Sequence, residues 1–296
     1  MPRWLIVLIA ILALTGAARA QVTAGPVGTP AGPWREQIYW VPMNDNGVPR
    51  LLNTRVCRPQ GDAPARVAVL AHGTPPQLST RGTMAPYSCN SEPVRWFLDR
   101  GFVVVSSMRR GHGATGGSDD DMMPSCDRAQ RDYARTGLST AADLAASIDY
   151  AATLPFARPT GIVLVGQSAG GLGAIAYNSL PHPRVSAIVN FAGGHGGHRE
   201  QQPNNNCQPE RLPVAAATLA RGATTPMLWI YTANDSFFSP AIVSAMYAAY
   251  TQAGGRAELY QLPAFGDDGH RLFVGSGGSA IWGPLIERYL ASRPAQ

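Results

Sequence analysis

Residues 162–176 read IVLVGQSAGGLGAIA, which is a hydrophobic run, a tight-turn signature and a small-residue stretch in direct succession. The first four residues are aliphatic and mostly β-branched, which predicts a buried strand. The next five match G-x-S-x-G, the turn that exposes a serine hydroxyl between a strand and a helix. A Cβ atom at Gly166 or Gly170 would collide with the neighbouring strand or helix. This context predicts that Ser168 is a nucleophile; the alternative is a serine that only caps the following helix.

Short hydrophobic runs and helical stretches alternate on both sides of this turn. Each run is rich in β-formers and bounded by glycine, proline or polar residues, as in strands that are buried on both faces. The alternation predicts an α/β fold with a mainly parallel sheet of about eight strands and helices on both faces. The predicted strands, of which the first two form a hairpin, are Glu36–Val41, Leu51–Cys57, Val67–Ala71, Phe102–Ser106, Ile162–Val165, Val185–Phe191, Met227–Thr232 and Glu258–Leu262. The predicted helices are Ser139–Thr153, Ala169–Leu180, Pro240–Ala253 and Ile281–Leu290.

The first twenty residues have the features of an export signal. Arg3 precedes a hydrophobic run of about eleven residues, well short of the roughly twenty that span a bilayer. The run leads to a small-x-small site, so we predict cleavage after Ala20 and a periplasmic or secreted protein without stable membrane insertion. Residues 1–20 are then a signal peptide, the Gly- and Pro-rich residues 21–34 a flexible leader, and residues 35–296 a single domain.

The charged residues exclude several function classes. All 24 basic residues are arginine, and with 19 acidic residues they give a formal net charge of +5. The absence of lysine excludes a P-loop lysine and a Schiff-base lysine. The arginines are scattered along the chain, whereas nucleic-acid binding needs a basic stripe, so we expect no nucleic-acid partner. We also expect neither a metal nor another cofactor.

Four cysteines follow the predicted signal, an even number that suggests two disulfides in an exported protein. Their spacings are unlike those of zinc ligands. Cys89 and Cys126 lie in long loops after two predicted strands, and both loops should rise from the same edge of the sheet. We therefore favour a bond between these two, which leaves Cys57 and Cys207 to pair by elimination.

A serine nucleophile needs a base and an orienting acid, which follow it in the order serine, acid, histidine on this type of sheet. His270 comes directly after the last predicted strand and is the expected base. Asp235 follows the strand Met227–Thr232 by a short turn and is the expected acid. His195 and His198, in a Gly-rich loop, are expected to line the site. The other candidate acids are Glu200, Glu210, Glu258, Asp267 and Asp268.

Two backbone N–H groups should stabilise the oxyanion that forms during attack on a carbonyl. The residue after the nucleophile, Ala169, supplies one. The turn after the strand Val67–Ala71 should supply the other, and there Thr74 is the best donor because Pro75 and Pro76 have no N–H.

Arg109 and Arg110 follow the strand Phe102–Ser106 and should lie near the edge of the sheet where ligands bind. Arginine can hold a carboxylate through two parallel hydrogen bonds, so we expect Arg109 or Arg110 to help bind substrate. The alternative is an ion pair with the acidic residues 119–121.

The chain resembles the α/β-hydrolases, and among them the dienelactone-hydrolase-like group, over about residues 35–292. The matching motifs are at residues 72–73, 166–170, 231–235 and 266–270. The resemblance implies Ser168 as nucleophile, Asp235 as acid and His270 as base, with Thr74 and Ala169 as the oxyanion donors.

The best-known members of this group use a cysteine nucleophile, whereas this chain has a serine. An ester hydrolase that acts on a small-molecule substrate through an acyl-enzyme is therefore the leading hypothesis. About 35 residues separate Phe191 from Met227, which leaves no room for a large lid. The alternatives are a peptidase or amidase of the prolyl-oligopeptidase type and a non-catalytic binding protein on the same fold.

Overall fold

The structure, a computed structural model, describes residues 23–117, 126 and 131–293. The predicted signal peptide lies outside these residues. The strands are β1 Gly25–Ala31, β2 Glu36–Asp45, β3 Val48–Cys57, β4 Val67–Ala71, β5 Val103–Ser107, β6 Ile162–Gln167, β7 Val185–Phe191, β8 Met227–Thr232 and β9 Ala257–Leu262. The α-helices are α1 Leu78–Arg81, α2 Glu92–Leu98, α3 Tyr133–Ala151, α4 Ala169–Tyr177, α5 Arg211–Ala220, α6 Pro240–Gln252 and α7 Gly278–Ala291.

The strands form one nine-stranded sheet in the order β1-β2-β3-β5-β4-β6-β7-β8-β9. The pairs along β1-β2-β3-β5 are antiparallel, and every pair from β5 to β9 is parallel. The predicted α/β fold with a mainly parallel sheet is thus confirmed, and each of the eight predicted strands has a counterpart in the sheet.

The ninth strand comes from the segment that the sequence predicted as a flexible leader. Residues Gly25–Ala31 pair with β2, with an irregularity between Val27 and Ala31. The side chains of this strand are almost all exposed, so it has no hydrophobic alternation that could reveal it in the sequence. Its backbone hydrogen bonds with β2 account for the strand instead.

Helices cover both faces of the sheet, and each face has its own hydrophobic core. Helices α3, α4, α5 and α6 pack on one face, and α2 and α7 pack on the other. Helices α2 and α5 were not predicted from the sequence. Seven-residue α2 is shorter than the window that reveals helical periodicity, and α5 contains Pro213 in its first turn, where no N–H is needed. Among the described residues, no helix is long and apolar enough to cross a membrane.

Strand β6 lies at the centre of the parallel region, between β4 and β7, and all of its residues are buried. Parallel strands end at the same edge, so the loops after β4, β6, β7 and β8 meet there. These loops carry Thr74, Ser168, His198 and Asp235, which places the predicted site residues around one region of the molecule.

The predicted disulfide pairing is wrong. The bonds join Cys57 to Cys89 and Cys126 to Cys207. Cys57 lies opposite Val104 near the start of β5, and it packs with Cys89 in the core beneath α2 and α7. The loop before α2 carries Cys89 onto this face and away from Cys126. The loop after β7 rises from the same edge as the site and places Cys207 beside Cys126.

Candidate active site

Ser168 occupies the turn between β6 and α4 with a φ of 58° and a ψ of −122°. A positive φ is strained in a residue that has a Cβ atom, and such strain persists where the surrounding structure enforces it. The two glycines of the turn allow that close packing. A Cβ atom on Gly170 would lie 2.5 Å from the carbonyl oxygen of Ala71 on β4, and one on Gly166 would overlap the backbone of Gly170.

Asp235 and His270 form a buried pair in which the carboxylate contacts the imidazole ring. Nδ1 of His270 lies 3.0 Å from Oδ1 and 3.1 Å from Oδ2 of Asp235. Oδ1 also accepts the N–H groups of Phe237 at 2.8 Å and Phe238 at 3.0 Å. An ionised carboxylate can only accept, so Nδ1 carries the ring proton and Nε2 keeps its lone pair. The ring can therefore take up a proton at Nε2.

The loop that carries His270 is tied to the end of β6. The side-chain amide of Gln167, the residue before the serine, donates a hydrogen bond to the carbonyl oxygen of His270 at 3.2 Å. The backbone N–H of Ser168 donates to the carbonyl oxygen of Phe191 on β7 at 2.9 Å. The serine and the histidine are thus positioned by neighbouring, hydrogen-bonded parts of the same sheet edge.

Asp268, one of the alternative acids, contacts the backbone of His270 and not its ring. Its Oδ1 accepts the N–H groups of His270 and Ser236, each at 3.0 Å, and its Oδ2 accepts the Ser236 hydroxyl at 2.8 Å. Burial by itself raises the pKa of Asp268, but these hydrogen bonds outweigh it and hold the pKa below its ordinary value. Asp268 therefore acts as an ionised support for the loop.

The ring of Phe237 lies between two imidazoles. Its centroid is 3.9 Å from that of His198 and 4.0 Å from that of His270, with interplanar angles of 24° and 27°. Nε2 of His198 lies 2.8 Å from the hydroxyl of Ser236. Because Ser236 donates its proton to Asp268, His198 is the donor in this hydrogen bond. The stack restricts the tilt of the His270 ring.

Thr74 and Ala169, the predicted oxyanion donors, both border the cavity that contains Ser168. Ala169 begins α4, and N–H groups in the first turn of a helix have no acceptor within the helix. The positive end of the helix dipole also favours an anion there. Gly73 packs directly against the serine, since a Cβ atom on Gly73 would lie 2.8 Å from Cβ of Ser168. This contact brings the turn that carries Thr74 to the nucleophile.

Arg109, predicted to bind substrate, instead supports the turn that carries Thr74. It is buried and does not line the cavity. Its Nη2 donates to Oγ1 of Thr74 at 2.5 Å, its Nη1 donates to Oγ1 of Thr140 at 3.2 Å, and its backbone N–H donates to Nε2 of His72 at 3.0 Å. Because β5 lies beyond β4 in the sheet and α3 covers its end, polar groups of the protein surround this arginine.

Arg110 does not line the cavity either. Its Nε donates to Asp143 on α3 at 2.8 Å, and its Nη1 donates to Asp45 at the end of β2 at 2.6 Å. Burial raises the pKa of Asp143 to about 6 against the opposing charge of Arg110, which leaves the carboxylate ionised at neutral pH. The alternative partners, residues 119–121, lie outside the described residues. Arg110 thus joins α3 to the antiparallel part of the sheet.

A cavity of about 490 Å³ opens at Ser168. His195 and His198 both border it, as does the Cys126–Cys207 disulfide. Among the residues that the structure describes, the charged side chains in its lining are Arg81, Arg131, Arg199 and Glu200. The remaining lining residues are Thr74, Pro75, Pro76, Leu78, Ala169, Gly194, Gly196, Gly197, Phe237 and Phe238. The described part of the lining therefore combines apolar walls with a few charged and polar side chains beside the serine.

Two residues of this region were not predicted from the sequence. Phe237 is two positions after Asp235, but no sequence pattern predicts that its ring lies against that of His270. Arg131 precedes α3 and follows a segment without hydrophobic periodicity. Its place at the cavity depends on the disulfide and on the loop after β7, both of which are tertiary features.

Solved structures of known proteins share the fold. A proposed dienelactone hydrolase from Klebsiella pneumoniae is 14% identical with a TM-score of 0.55, over 86% of this chain and 98% of that one. An esterase from Pyrococcus furiosus is 16% identical with a TM-score of 0.59, over 88% of this chain and 93% of that one. An acylaminoacyl peptidase from Pyrococcus horikoshii is 16% identical with a TM-score of 0.61, over 88% of this chain but 42% of that one.

At such low sequence identities, these similarities show a shared fold and nothing more. No curated protein matches the chain. The model of the alpha/beta hydrolase family, in contrast, matches residues 68–296, which is most of the sequence. The matched region contains the serine turn, the Asp235–His270 pair and every parallel strand but the first residue of β4. This chain is a member of the alpha/beta hydrolase family.

Proposed function

We propose that the protein is an exported serine hydrolase that cleaves carboxylic esters of small molecules through an acyl-enzyme. The observation that carries this proposal is the buried Asp235–His270 pair, with Nδ1 of the imidazole on the carboxylate, beside a serine held at a positive φ. Ser168 is the nucleophile, His270 the general base, and Asp235 the acid that orients the ring and stabilises its protonated form.

The reaction proceeds in two stages. The hydroxyl oxygen of Ser168 attacks the ester carbonyl while Nε2 of His270 takes the hydroxyl proton. The N–H groups of Thr74 and Ala169 stabilise the resulting oxyanion. The imidazolium then gives the proton to the departing alcohol oxygen, which leaves the acyl group on the serine. In the second stage a water molecule attacks the acyl-enzyme while Nε2 of His270 takes its proton, and the imidazolium then returns a proton to the Ser168 oxygen as the acid leaves.

A fluorophosphonate probe tests the nucleophile, because it reacts with an activated serine and leaves other serines unlabelled. The wild-type protein should be labelled, and Ser168→Ala should not. Ser244→Ala is the matched control, since this serine is exposed on α6. We expect Ser168→Ala to lower kcat by roughly 10⁴- to 10⁶-fold. Equal labelling of the two variants would refute the assignment.

Turnover on a panel of esters and amides of graded acyl length tests the reaction class. Ester turnover that exceeds amide turnover supports the proposal. Preferred cleavage of amides would point to the peptidase alternative, and labelled but inactive protein would point to a substrate outside the panel. No labelling and no turnover, in a protein shown to be folded, would favour the non-catalytic binding protein.

We also propose that residues 1–20 are removed on export and that the mature chain starts at Gln21. The support is the sequence of this segment together with the two disulfides, which are typical of proteins from oxidising compartments. The folded domain then includes β1 from Gly25 onward. Mass spectrometry of the protein recovered from the periplasm of an expression host should give the mass of residues 21–296. Recovery of the full-length chain from the membrane would contradict this.

A further inference from the structure

The ring of Phe237 belongs to a closed circle of contacts around His270. The carboxylate of Asp268 accepts both the backbone N–H of His270 and the hydroxyl of Ser236. That hydroxyl oxygen accepts in turn from Nε2 of His198 at 2.8 Å. The imidazole of His198 stacks on one face of Phe237, and the other face of Phe237 stacks on the imidazole of His270. Each member thus contacts the next, which fixes the orientation of the Phe237 ring.

The backbone of Phe237 is fixed by the same carboxylate that orients His270. Its N–H donates to Oδ1 of Asp235 at 2.8 Å, and Nδ1 of His270 lies 3.0 Å from that oxygen. The loop after β7 packs against Phe237 from the other side. A Cβ atom on Gly197 would lie 3.0 Å from Cβ and 3.0 Å from a ring carbon of Phe237, so a glycine at this position permits the close approach.

The contact between Phe237 and His270 joins the two rings face to face. Their centroids are 4.0 Å apart and their planes are inclined by 27°. Phe238 is also near His270, but at 5.7 Å and 56° it does not present its face to the imidazole. The face of a phenyl ring carries partial negative charge and attracts a cation within about 6 Å of its centroid. The Phe237 ring therefore suits a cation at the position of the His270 ring.

His270 becomes that cation only during the reaction. In the resting protein Nδ1 donates to Asp235 and Nε2 keeps its lone pair, so the ring is neutral. It becomes an imidazolium when Nε2 takes the proton of Ser168, and again when Nε2 takes the proton of water. Asp235 stabilises this charge at the edge of the ring, and Asp268 lies at the backbone of the same residue. Phe237 is the group that acts on its face.

We propose that Phe237 is a positioning residue whose π face stabilises the His270 imidazolium, and that His198 holds this phenyl ring in place from the far side. The inference rests on the proposed function, in which His270 is the general base. An attraction that is stronger for the imidazolium than for the neutral ring lowers the barrier of the chemical step, so it raises kcat and does not only strengthen binding.

Graded fluorination of Phe237 tests this inference, because fluorine withdraws electrons from the face of the ring and nearly preserves its shape. The 4-fluoro, 3,5-difluoro and 3,4,5-trifluoro forms of phenylalanine are introduced at this one position. The readout is kcat on a slowly cleaved alkyl ester, whose alcohol leaves only after the imidazolium has given it a proton. We expect kcat to fall with each added fluorine, by about 2- to 30-fold for the trifluoro ring, while KM stays the same.

Phe156 is the matched control for the fluorinated rings. It lies between α3 and β6, at the edge of the sheet opposite the site, and the guanidinium of Arg58 lies 4.3 Å above its ring. The same trifluoro ring at this position should leave kcat unchanged. Thermal unfolding establishes that each protein is folded.

Two pairs of ordinary substitutions extend the test. Phe237→Tyr keeps an aromatic face and should retain most of kcat, whereas Phe237→Leu should lose about as much as the trifluoro ring. His198→Phe keeps a ring in the stack and should retain more of kcat than His198→Ala does.

A kcat that does not depend on the number of fluorine atoms would overturn the inference, even if Phe237→Leu lowered kcat, because the ring would then only fill space. A wild-type kcat in His198→Ala would overturn the role of His198. Both results require ester turnover and labelling of Ser168, so they leave the proposed function standing. If the probe does not label the protein and no ester is cleaved, the proposed function itself fails.

Discussion

Two carboxylates flank His270, and their contacts assign them different roles. Asp235 accepts from the imidazole Nδ1, whereas Asp268 accepts from the backbone N–H of the same residue. The ring contact decides which nitrogen carries the proton, and the backbone contact decides where the loop lies. Both residues are among the acids that the sequence offers, and their separation from His270 along the chain does not reveal this difference in contact.

Asp235→Asn should lower kcat by about 10⁴-fold, because an amide in that position favours the wrong imidazole tautomer. Asp268→Asn is the matched control, since it changes a carboxylate that also touches His270. It should lower kcat far less than Asp235→Asn. The measurement is kcat on a reactive aryl ester at saturating substrate, with the fold of each variant checked by circular dichroism. An equal loss in both variants would contradict the assignment of Asp235.

Asp268, whose carboxylate supports the loop that carries His270, is itself a titratable group. Because hydrogen bonds hold the pKa of Asp268 below its ordinary value of about 4, its ionised form stabilises the folded state. This contribution is full above the unfolded pKa of about 4 and is lost as the pH falls through the lower folded pKa.

We therefore expect Asp268→Asn to lower the free energy of unfolding at pH 7, and the difference from wild type to shrink as the pH falls below about 4. Urea unfolding at several pH values measures it. Asp149→Asn is the control, since Asp149 is 70% exposed in its pair with Arg184 and its removal should have little effect at any pH. A difference for Asp268→Asn that grew on acidification would be inconsistent with this role.

The approach of α4 to the sheet depends on a glycine at its start. A Cβ atom on Gly170 would lie 2.5 Å from the carbonyl oxygen of Ala71 and 2.7 Å from that of His72, and backbone atoms have little freedom to move away. Gly170→Ala should therefore destabilise the protein by about 1–3 kcal/mol, as overpacking does, and reduce turnover by displacing Ser168.

Gly82→Ala is the matched control for this prediction, because nothing lies within 4 Å of a Cβ atom there and its φ is −66°. This substitution should be neutral or slightly stabilising. Denaturant titration gives the two free energies of unfolding. If Gly170→Ala proved as stable and active as Gly82→Ala, the close packing of α4 on β4 would be refuted.

The two disulfides lie in different parts of the protein. Cys57–Cys89 lies in the core beneath α2 and α7, whereas Cys126–Cys207 borders the cavity. Peptide mapping without reduction should recover these two pairs and no Cys89–Cys126 bond. Changing Cys57 and Cys89 together to serine should lower the free energy of unfolding by about 4 kcal/mol on the chain-entropy model. Recovery of a Cys89–Cys126 peptide would contradict the structure.

Local sequence was enough to predict the elements that have strong periodicity and the residues at their ends. The strand–serine–helix turn, the parallel strands and the positions of Asp235 and His270 after β8 and β9 all follow from short patterns. The reason is that a buried strand needs a continuous hydrophobic run, and a parallel sheet places the residues after its strands along one edge. Exposed β1 and the short helix α2 lack such patterns and were not predictable.

Contacts between distant segments depend on how the elements pack in three dimensions. The amino-acid sequence specifies the α/β architecture and the turn at Ser168 locally, since both depend on local sterics and hydrophobic burial. It did not determine the disulfide pairs, the roles of Arg109 and Arg110, or the place of Arg131 at the cavity. Each of these depends on which polar group or sulfur atom lies next to the side chain after α3 and the loop after β7 have packed. That is a property of three-dimensional packing.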